Sequence, residues 1–357
     1  MKLGLGLYRD RLTKDNFRFA KQAGCTHIVA HLVDYYHGIE GLPSTDKDRN
    51  MGFACADEDV WSYESLLALR RAVNEEGLEL EAIENFSPAD WYDILLDGPK
   101  RAEQMDRIKR IIRDVGRAGI PIIGYNFSIA GVWGHVIRPV ARGGAYTATF
   151  DLTAGPEETP IPNGQIWNMT YDPDAEAGFI PPISSEELWE RLERFLNEVI
   201  PVAEEAGVRL AAHPDDPPAP TLRGYGRLVN QPRLYQRLLD IYPSRSNALE
   251  FCLGSLQEMT EGDIYETIEQ YGKQNAIAYV HFRNVRGKVP RYEEVFIDEG
   301  DINMIKALRI LRRNGFDGVL IPDHTPQMTC KAPWHAGMAF ALGYMKAAID
   351  IVNQENG

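Results

Sequence analysis

Cysteine is scarce in this chain. There are four in 357 residues, Cys25, Cys55, Cys252 and Cys330, and no two form a CxxC pair. That excludes a disulfide-stapled secreted scaffold and a paired-thiolate structural zinc site, so any metal role for a cysteine has to come from the fold. Positive charge is in deficit: 38 Lys and Arg stand against 52 Asp and Glu, a net charge of −14. Such a balance repels nucleic acid and anionic membrane, and neither is an expected partner. No apolar run approaches the length of a membrane span. The N-terminus, Met1-Lys2-Leu3-Gly4-Leu5-Gly6-Leu7-Tyr8-Arg9, is too short and too soon charged for a signal peptide, and the expected compartment is the cytoplasm. A GxGxxG turn is also missing. Gly4 and Gly6 lie inside the first strand candidate with no third glycine in place, which weighs against an open dinucleotide-binding sheet.

What the sequence does have is a rhythm. Hydrophobic residues make up 44% of the chain, enough for a large core. Apolar runs at 2–7, 26–32, 78–84, 121–127, 209–213, 247–252, 276–282 and 318–323 read as strands, each followed by a helix. Thr13, Ser62 and the capping box Ser184-Ser-Glu-Glu187 mark helix starts, and Gly24, Gly77, Gly119 and Gly315 mark stops. Several strands are nearly continuous apolar runs, as parallel strands buried on both faces require. Eight β/α units predict an α/β fold, a (β/α)8 TIM barrel forming one domain over 1–357. The rhythm breaks over 128–183, which is rich in Gly, Pro and Thr and has little periodicity. We read it as a long loop insertion after strand 4, a lid over the barrel mouth.

Catalytic residues of such barrels come from the C-terminal ends of the strands. Strands 5 to 8 end in His213, Cys252, His281 and Asp323. Two imidazoles, a thiol and a carboxylate are all donors to a divalent first-row metal, and the thiolate argues against Mg²⁺. Singly each has a plain structural explanation: Cys252 as a small buried hydrophobe, Asp323 as a turn former. Jointly, on one face, they point to a metal site holding Mn²⁺, Fe²⁺, Co²⁺ or Zn²⁺. The other strand ends carry Tyr8, His31, Glu84 and Asn126, which are candidates to line a pocket for a hydroxylated substrate.

The runs Tyr125-Asn-Phe127, His213-Pro-Asp-Asp-Pro-Pro218, Glu250-Phe-Cys252 with Gly254-Ser255, His281-Phe-Arg-Asn284 and Pro322-Asp-His324 resemble the mannonate dehydratases, over nearly the whole chain. The resemblance implies a xylose-isomerase-like barrel and a divalent ion, commonly Mn²⁺, held by His213, Cys252, His281 and Asp323. It implies removal of water from D-mannonate to give 2-keto-3-deoxygluconate. The match has gaps. Gly131-Val-Trp-Gly-His135 stands where the family usually has a Trp-Thr-Arg segment, and a family tyrosine falls on His335.

For such a reaction His324, beside ligand Asp323, is the expected acid/base group, with His335 or Tyr8 as its partner. Asn126, Arg283, Asn284, Glu84 and His31 are the expected substrate contacts, and Arg138 or Arg142 can replace the missing family arginine. The expected partner is a small-molecule sugar acid. Large barrels of this kind often associate, so a homo-oligomer is compatible with the sequence. Two other readings share the barrel: a sugar isomerase or epimerase, and a non-catalytic protein that binds metal and a sugar acid.

Overall fold

The computed structural model describes residues 1–38, 52–56, 59–154 and 158–355. Eight parallel strands close on themselves: β1 (Lys2–Leu7), β2 (His27–His31), β3 (Glu79–Glu84), β4 (Ile122–Tyr125), β5 (Arg209–Ala212), β6 (Asn247–Cys252), β7 (Ile277–His281) and β8 (Val319–Ile321). The closing seam pairs Lys2 with Val319 and Leu3 with Leu320. It is tight, because a Cβ added to Gly4 would lie 2.5 Å from Val319 Cγ1. The absence of a side chain at Gly4 leaves room for the Val319 and Ile321 side chains inside the barrel.

Alternation along the strands sets the layers inside the barrel. Val29, Ala82, Ile122, Ala211, Ala248 and Tyr279 belong to one buried interior cluster. Side chains two residues further along share the same face. Those positions are His31, Glu84, Gly124, His213, Glu250 and His281, and two beyond Glu250 comes Cys252. The interior therefore changes from apolar to chemically active within one pleat.

The helices sheathe the outside with a separate apolar layer. Ser185–Ala206 buries Leu188, Leu192, Phe195, Leu196 and Val199, a helical repeat facing the strands. Arg101–Arg117 buries Met105, Ile108, Ile111, Ile112 and Val115 in the same manner. Each such side chain contributes roughly 1.5–3 kcal/mol by leaving water. An additional helix, Pro88–Leu96, has no clear apolar repeat in the sequence, because Asp90 and Asp93 are buried among Trp91, Ile94 and Leu95. Asp90 is ion-paired to Arg107 at 2.9 Å, and Asp93 accepts from the Lys100 backbone N–H at 2.7 Å.

The 128–183 insertion is not one long loop. Val136–Ala141 and Ala145–Asp151 form an antiparallel pair. Ala145–Asp151 continues onto Arg291–Val295, and that strand onto Asn284–Lys288, giving a four-stranded sheet. The segment after β7 is thus a hairpin paired with the insertion. Phe150 stacks on Tyr292 across this pairing at 5.4 Å. Partners about 140 residues apart leave no local periodicity to read, which is why the sequence shows only loop composition here.

The capping box predicted at Ser184 is present. The Glu187 N–H donates to Ser184 Oγ at 3.3 Å, and the Ser184 N–H donates to Glu187 Oε2 at 2.8 Å. Ser184→Ala is expected to lower stability by about 1 kcal/mol, read as a lower denaturation midpoint with an unchanged denaturant slope.

Candidate metal and active site

Cys252 ends β6 and caps the short helix Leu253–Glu258, so its thiol is aimed by local backbone geometry. Its Sγ accepts from the Ser255 N–H at 3.4 Å and from Ser255 Oγ at 3.2 Å. Burial alone would raise its pKa, but Arg283, His213 and His281 outweigh that and bring it down to about 5. The resting group is therefore a thiolate.

His213 follows β5. Its Nδ1 donates to the Pro214 carbonyl at 2.6 Å, which leaves Nε2 as the nitrogen available to a metal. Burial opposes protonation of this ring, yet the bond to Cys252 and the Glu250 charge raise its pKa to about 9. His281 ends β7 between three acids. Its Nε2 lies 3.2 Å from Glu84 Oε2 and 3.1 Å from Glu250 Oε1, and its Nδ1 lies 3.3 Å from Asp323 Oδ2. Despite burial, these charges hold its pKa well above the ordinary value.

The donor atoms of His213, Cys252 and His281 lie within 4.8 Å of one another. Asp323 reaches this set through His281 and through Arg283 Nε, 3.2 Å from its Oδ2. It does so on a left-handed backbone, φ 59°, uncommon for a residue with a side chain. The buried His281 Nδ1 has no hydrogen-bond partner of good geometry. Imidazole, thiolate and carboxylate donors at the C-terminal ends of β5 to β8 fit a divalent first-row ion.

A shell of charge surrounds the set. Arg283 reaches Glu258 Oε1 at 2.8 Å, Asp216 Oδ2 at 2.5 Å and Ser255 Oγ at 3.0 Å. Asp216 also accepts from Tyr292 at 3.1 Å, and Tyr292 is bonded to His135 of the insertion at 2.7 Å. At the mouth stands His324, its side chain 45% exposed, with Nδ1 3.1 Å from Glu294 Oε1 and Nε2 3.4 Å from Asp323 Oδ1. Desolvation would lower its pKa, but the two carboxylates raise it to about 10, so it is an imidazolium at neutral pH.

The adjoining wall, after β1 and β2, is aromatic. Tyr8 lies 4.7 Å from His31 and 5.8 Å from Tyr35, ring centre to ring centre. Desolvation holds Tyr8 well above the ordinary phenol value, and it holds His31 below the ordinary imidazole value despite nearby Glu84. Trp167 of the insertion packs against Tyr35, rings tilted and 5.6 Å apart, and donates to Asn126 Oδ1 at 3.2 Å.

The structure thus gathers His213, Cys252, His281, Asp323, His324, Glu84 and His31, with Tyr8 alongside. Four expected substrate or catalytic residues have other contacts. Arg283 is 3% exposed and held by acids, so it organises the shell instead of meeting solvent. Asn284 is buried, donates to the Ile297 and Ile302 carbonyls and accepts from the Val285 and Ile302 N–H groups. His335 lies on the last helix, bonded to Asn16 Oδ1 at 3.0 Å and packed on Phe19 and Trp334. Arg142 is paired with Asp298 and Glu299. Conversely, sequence reading passed over Glu250, Asp216, Glu258 and Glu294. Glu250 was within reach, because it stands two residues before Cys252 on the same strand.

The sequence model of the D-mannonate dehydratase (UxuA) family matches residues 20–172 and 174–351. The chain belongs to that family. It is 32% identical to mannonate dehydratase of Streptococcus pneumoniae over 297 residues, 80% of this chain and 79% of the relative. It is 30% identical to mannonate dehydratase 2 of Halalkalibacterium halodurans over 308 residues, 83% of this chain and 86% of the relative. The crystal structure of mannonate dehydratase from Streptococcus suis serotype 2 superposes with a TM-score of 0.77 at 26% identity, covering 100% of this chain and 96% of the other. D-psicose 3-epimerase from Clostridium cellulolyticum, with a TM-score of 0.57 at 13% identity, covering 99% of both chains, shares the fold alone.

Protonation fixes how a mannonate dehydratase built on these residues takes up metal. At neutral pH Cys252 is already ionised, whereas His213 and His281 carry protons that must leave. Calorimetric titration with a divalent ion in buffers of different ionisation enthalpy should show release of roughly two protons per ion at pH 7. Affinity should rise between pH 7 and 9 as the His213 proton is lost. No proton release at pH 7 would contradict the charge assignment.

Proposed function

We propose that this chain is a metal-dependent hydro-lyase that converts D-mannonate, or a closely related aldonate, to the 2-keto-3-deoxy acid and water. The observation that carries the reading is the His213–Cys252–His281 donor set beside the half-exposed imidazolium of His324. Asp323 completes the ligand set in this reading. Mn²⁺ is the ion we favour, with Fe²⁺, Co²⁺ or Zn²⁺ compatible with the same donors.

Dehydration of an aldonate removes the proton on C2, α to the carboxylate, and expels hydroxide from C3. The enol that results tautomerises to the 2-keto acid. The bound ion supplies Lewis-acid charge against the negative charge that builds next to the carboxylate. His324 begins protonated between Asp323 and Glu294 and donates to the departing C3 oxygen. The C2 proton needs an acceptor with a free lone pair. Burial lowers the His31 pKa and keeps that ring neutral beside Glu84, and it is our choice of base. Tyr8, which stays protonated, donates a hydrogen bond to a substrate hydroxyl. Glu84, next to His31 and His281, orients both rings.

The insertion, in this reading, is the lid. Its support is that Trp167 braces Tyr35 and Asn126 while His135 bonds Tyr292, so the insertion touches segments that follow β2, β4 and β7. Among the described residues no helix is long and apolar enough to cross a membrane. Four free cysteines suit a reducing compartment, and we place the protein in the cytoplasm.

Mn²⁺-loaded protein incubated with D-mannonate and a panel of other aldonates should form 2-keto-3-deoxy acid in a colorimetric assay. Turnover of no aldonate would sink the hydro-lyase, and ketose interconversion would move the assignment to an epimerase. His324→Asn should lower kcat by about 10²–10⁴ with metal content unchanged. Trp167→Ala should raise KM more than it lowers kcat. Equal loss in both variants of metal and activity would contradict the division of roles.

A further inference from the structure

Beside the metal set the barrel interior holds a second group of donors. Glu84, Glu250 and His281 offer ligand atoms that all lie within 4.8 Å of one another. Glu250 is 0% exposed, and neither of its carboxylate oxygens is hydrogen-bonded, although Oε1 lies 3.1 Å from His281 Nε2. A further buried group is left over at the same place. The hydroxyl of Tyr279, also 0% exposed, has no hydrogen-bond partner of good geometry. A fully buried carboxyl group, its pKa pushed up to about 8 by burial and Glu84, and a fully buried hydroxyl, both without well-formed hydrogen bonds, call for an explanation.

Space is kept for these groups. A Cβ added to Gly124 of β4 would lie 2.2 Å from Tyr279 Oη, 2.4 Å from Glu250 Oε2 and 3.2 Å from Glu84 Cγ. Side chains from β3, β6 and β7 thus converge at the one position of that layer where β4 has none.

We propose that Glu84, Glu250 and the Tyr279 hydroxyl, with His281 Nε2, form a second divalent-cation site that shares the His213 layer and, at Tyr279, reaches deeper into the barrel than the His213–Cys252–His281 set. Three of its four donors are oxygen, so it selects a hard ion such as Mn²⁺ or Mg²⁺, while the thiolate set above suits softer ions. The two sites share His281 and divide its ring. Nδ1 faces Asp323, and Nε2 faces Glu84 and Glu250. With both sites filled the ring is an imidazolate, both of its N–H protons having left to solvent. That deprotonation, together with repulsion between neighbouring dications, makes the deep ion the more weakly held of the two. The shared ring is the one point at which this site rests on the reading of the upper set as a metal centre.

Manganese is the probe. Full-length protein produced with excess Mn²⁺ and freed of loose ion by gel filtration is measured for Mn per chain and by electron paramagnetic resonance. The wild type should hold two ions and give a broadened, spin-coupled signal. Glu250→Gln should hold one and give the sharp six-line signal of isolated Mn²⁺. Tyr279→Phe, which keeps the ring and its packing, should weaken retention of one ion. Cys252→Ser should lose the upper ion and keep the deep one. A Mn count of one that neither Glu250→Gln nor Tyr279→Phe changes, with an uncoupled signal throughout, overturns the deep site. A count unchanged in Cys252→Ser but lowered in Glu250→Gln overturns the upper set and leaves the deep site standing.

Discussion

Arg283 is 3% exposed, yet it touches Asp216, Glu258 and Asp323 and lies 3.4 Å from Glu294. Charges buried this deeply are tolerated only when paired and hydrogen-bonded. Here one planar fork serves several acids at once, a geometry an ammonium group cannot supply. The same guanidinium is the largest influence lowering the Cys252 pKa, so it makes the thiolate as well as the carboxylates possible. Asp216 then passes the arrangement outward through Tyr292 to His135. The inner centre and the outer sheet are therefore parts of one polar network anchored on Arg283. Removing one partner of such a network commonly costs about 3–5 kcal/mol, because the others are left buried and unpaired.

The barrel was legible because its signals are local. Each strand is an apolar run with its own length, and several helix starts and stops are caps or glycines that can be read within four residues. The candidate donor set was legible for a related reason. A parallel barrel puts the chemistry at strand ends, so residue type and strand boundary together name His213, Cys252 and His281 without any contact information. Asp323 lies two residues past Ile321, where β8 ends, and its left-handed backbone turns it back toward His281.

What stayed hidden depends on contacts distant in sequence. Arg283 follows the strand-end ligand His281, and nothing local says that Glu258, Glu294 and Asp216 will close around it. An exposed arginine and a buried one look alike in a sequence. The helix at Pro88–Leu96 was obscured by aspartates whose partners, Arg107 and the Lys100 N–H, lie on the next segment. The sheet of the insertion is the clearest case, since Phe150 and Tyr292 are adjacent only after the β7 hairpin has folded onto it. Glu250 differs from these. Period-two alternation from Cys252 places it inside the barrel, and attention to whole strand faces instead of strand ends would have found it.

An anionic substrate in so acidic a centre raises an electrostatic question, and committed charges answer it. Arg283 is engaged by acids, and Arg142 is bonded to Asp298 and Glu299 on the outer sheet. Arg138 is exposed on the neighbouring strand Val136–Ala141. The resemblance that pointed to an arginine in the substrate loop therefore has no obvious heir in these residues. Among the described residues around the mouth, His324, half open to solvent, offers positive charge to a carboxylate, and an ion on the donor set would add to it. His324 and the donor set lie at the ends of β5 to β8, and the Tyr8, His31 and Tyr35 wall adjoins them after β1 and β2. In the proposed reaction a sugar acid would meet that charge with its carboxylate and lay its hydroxylated chain along the aromatic wall, so that C2 and C3 would be reached by the imidazolium of His324 and the neutral imidazole of His31. That placement matches the division of acid and base which the dehydration needs.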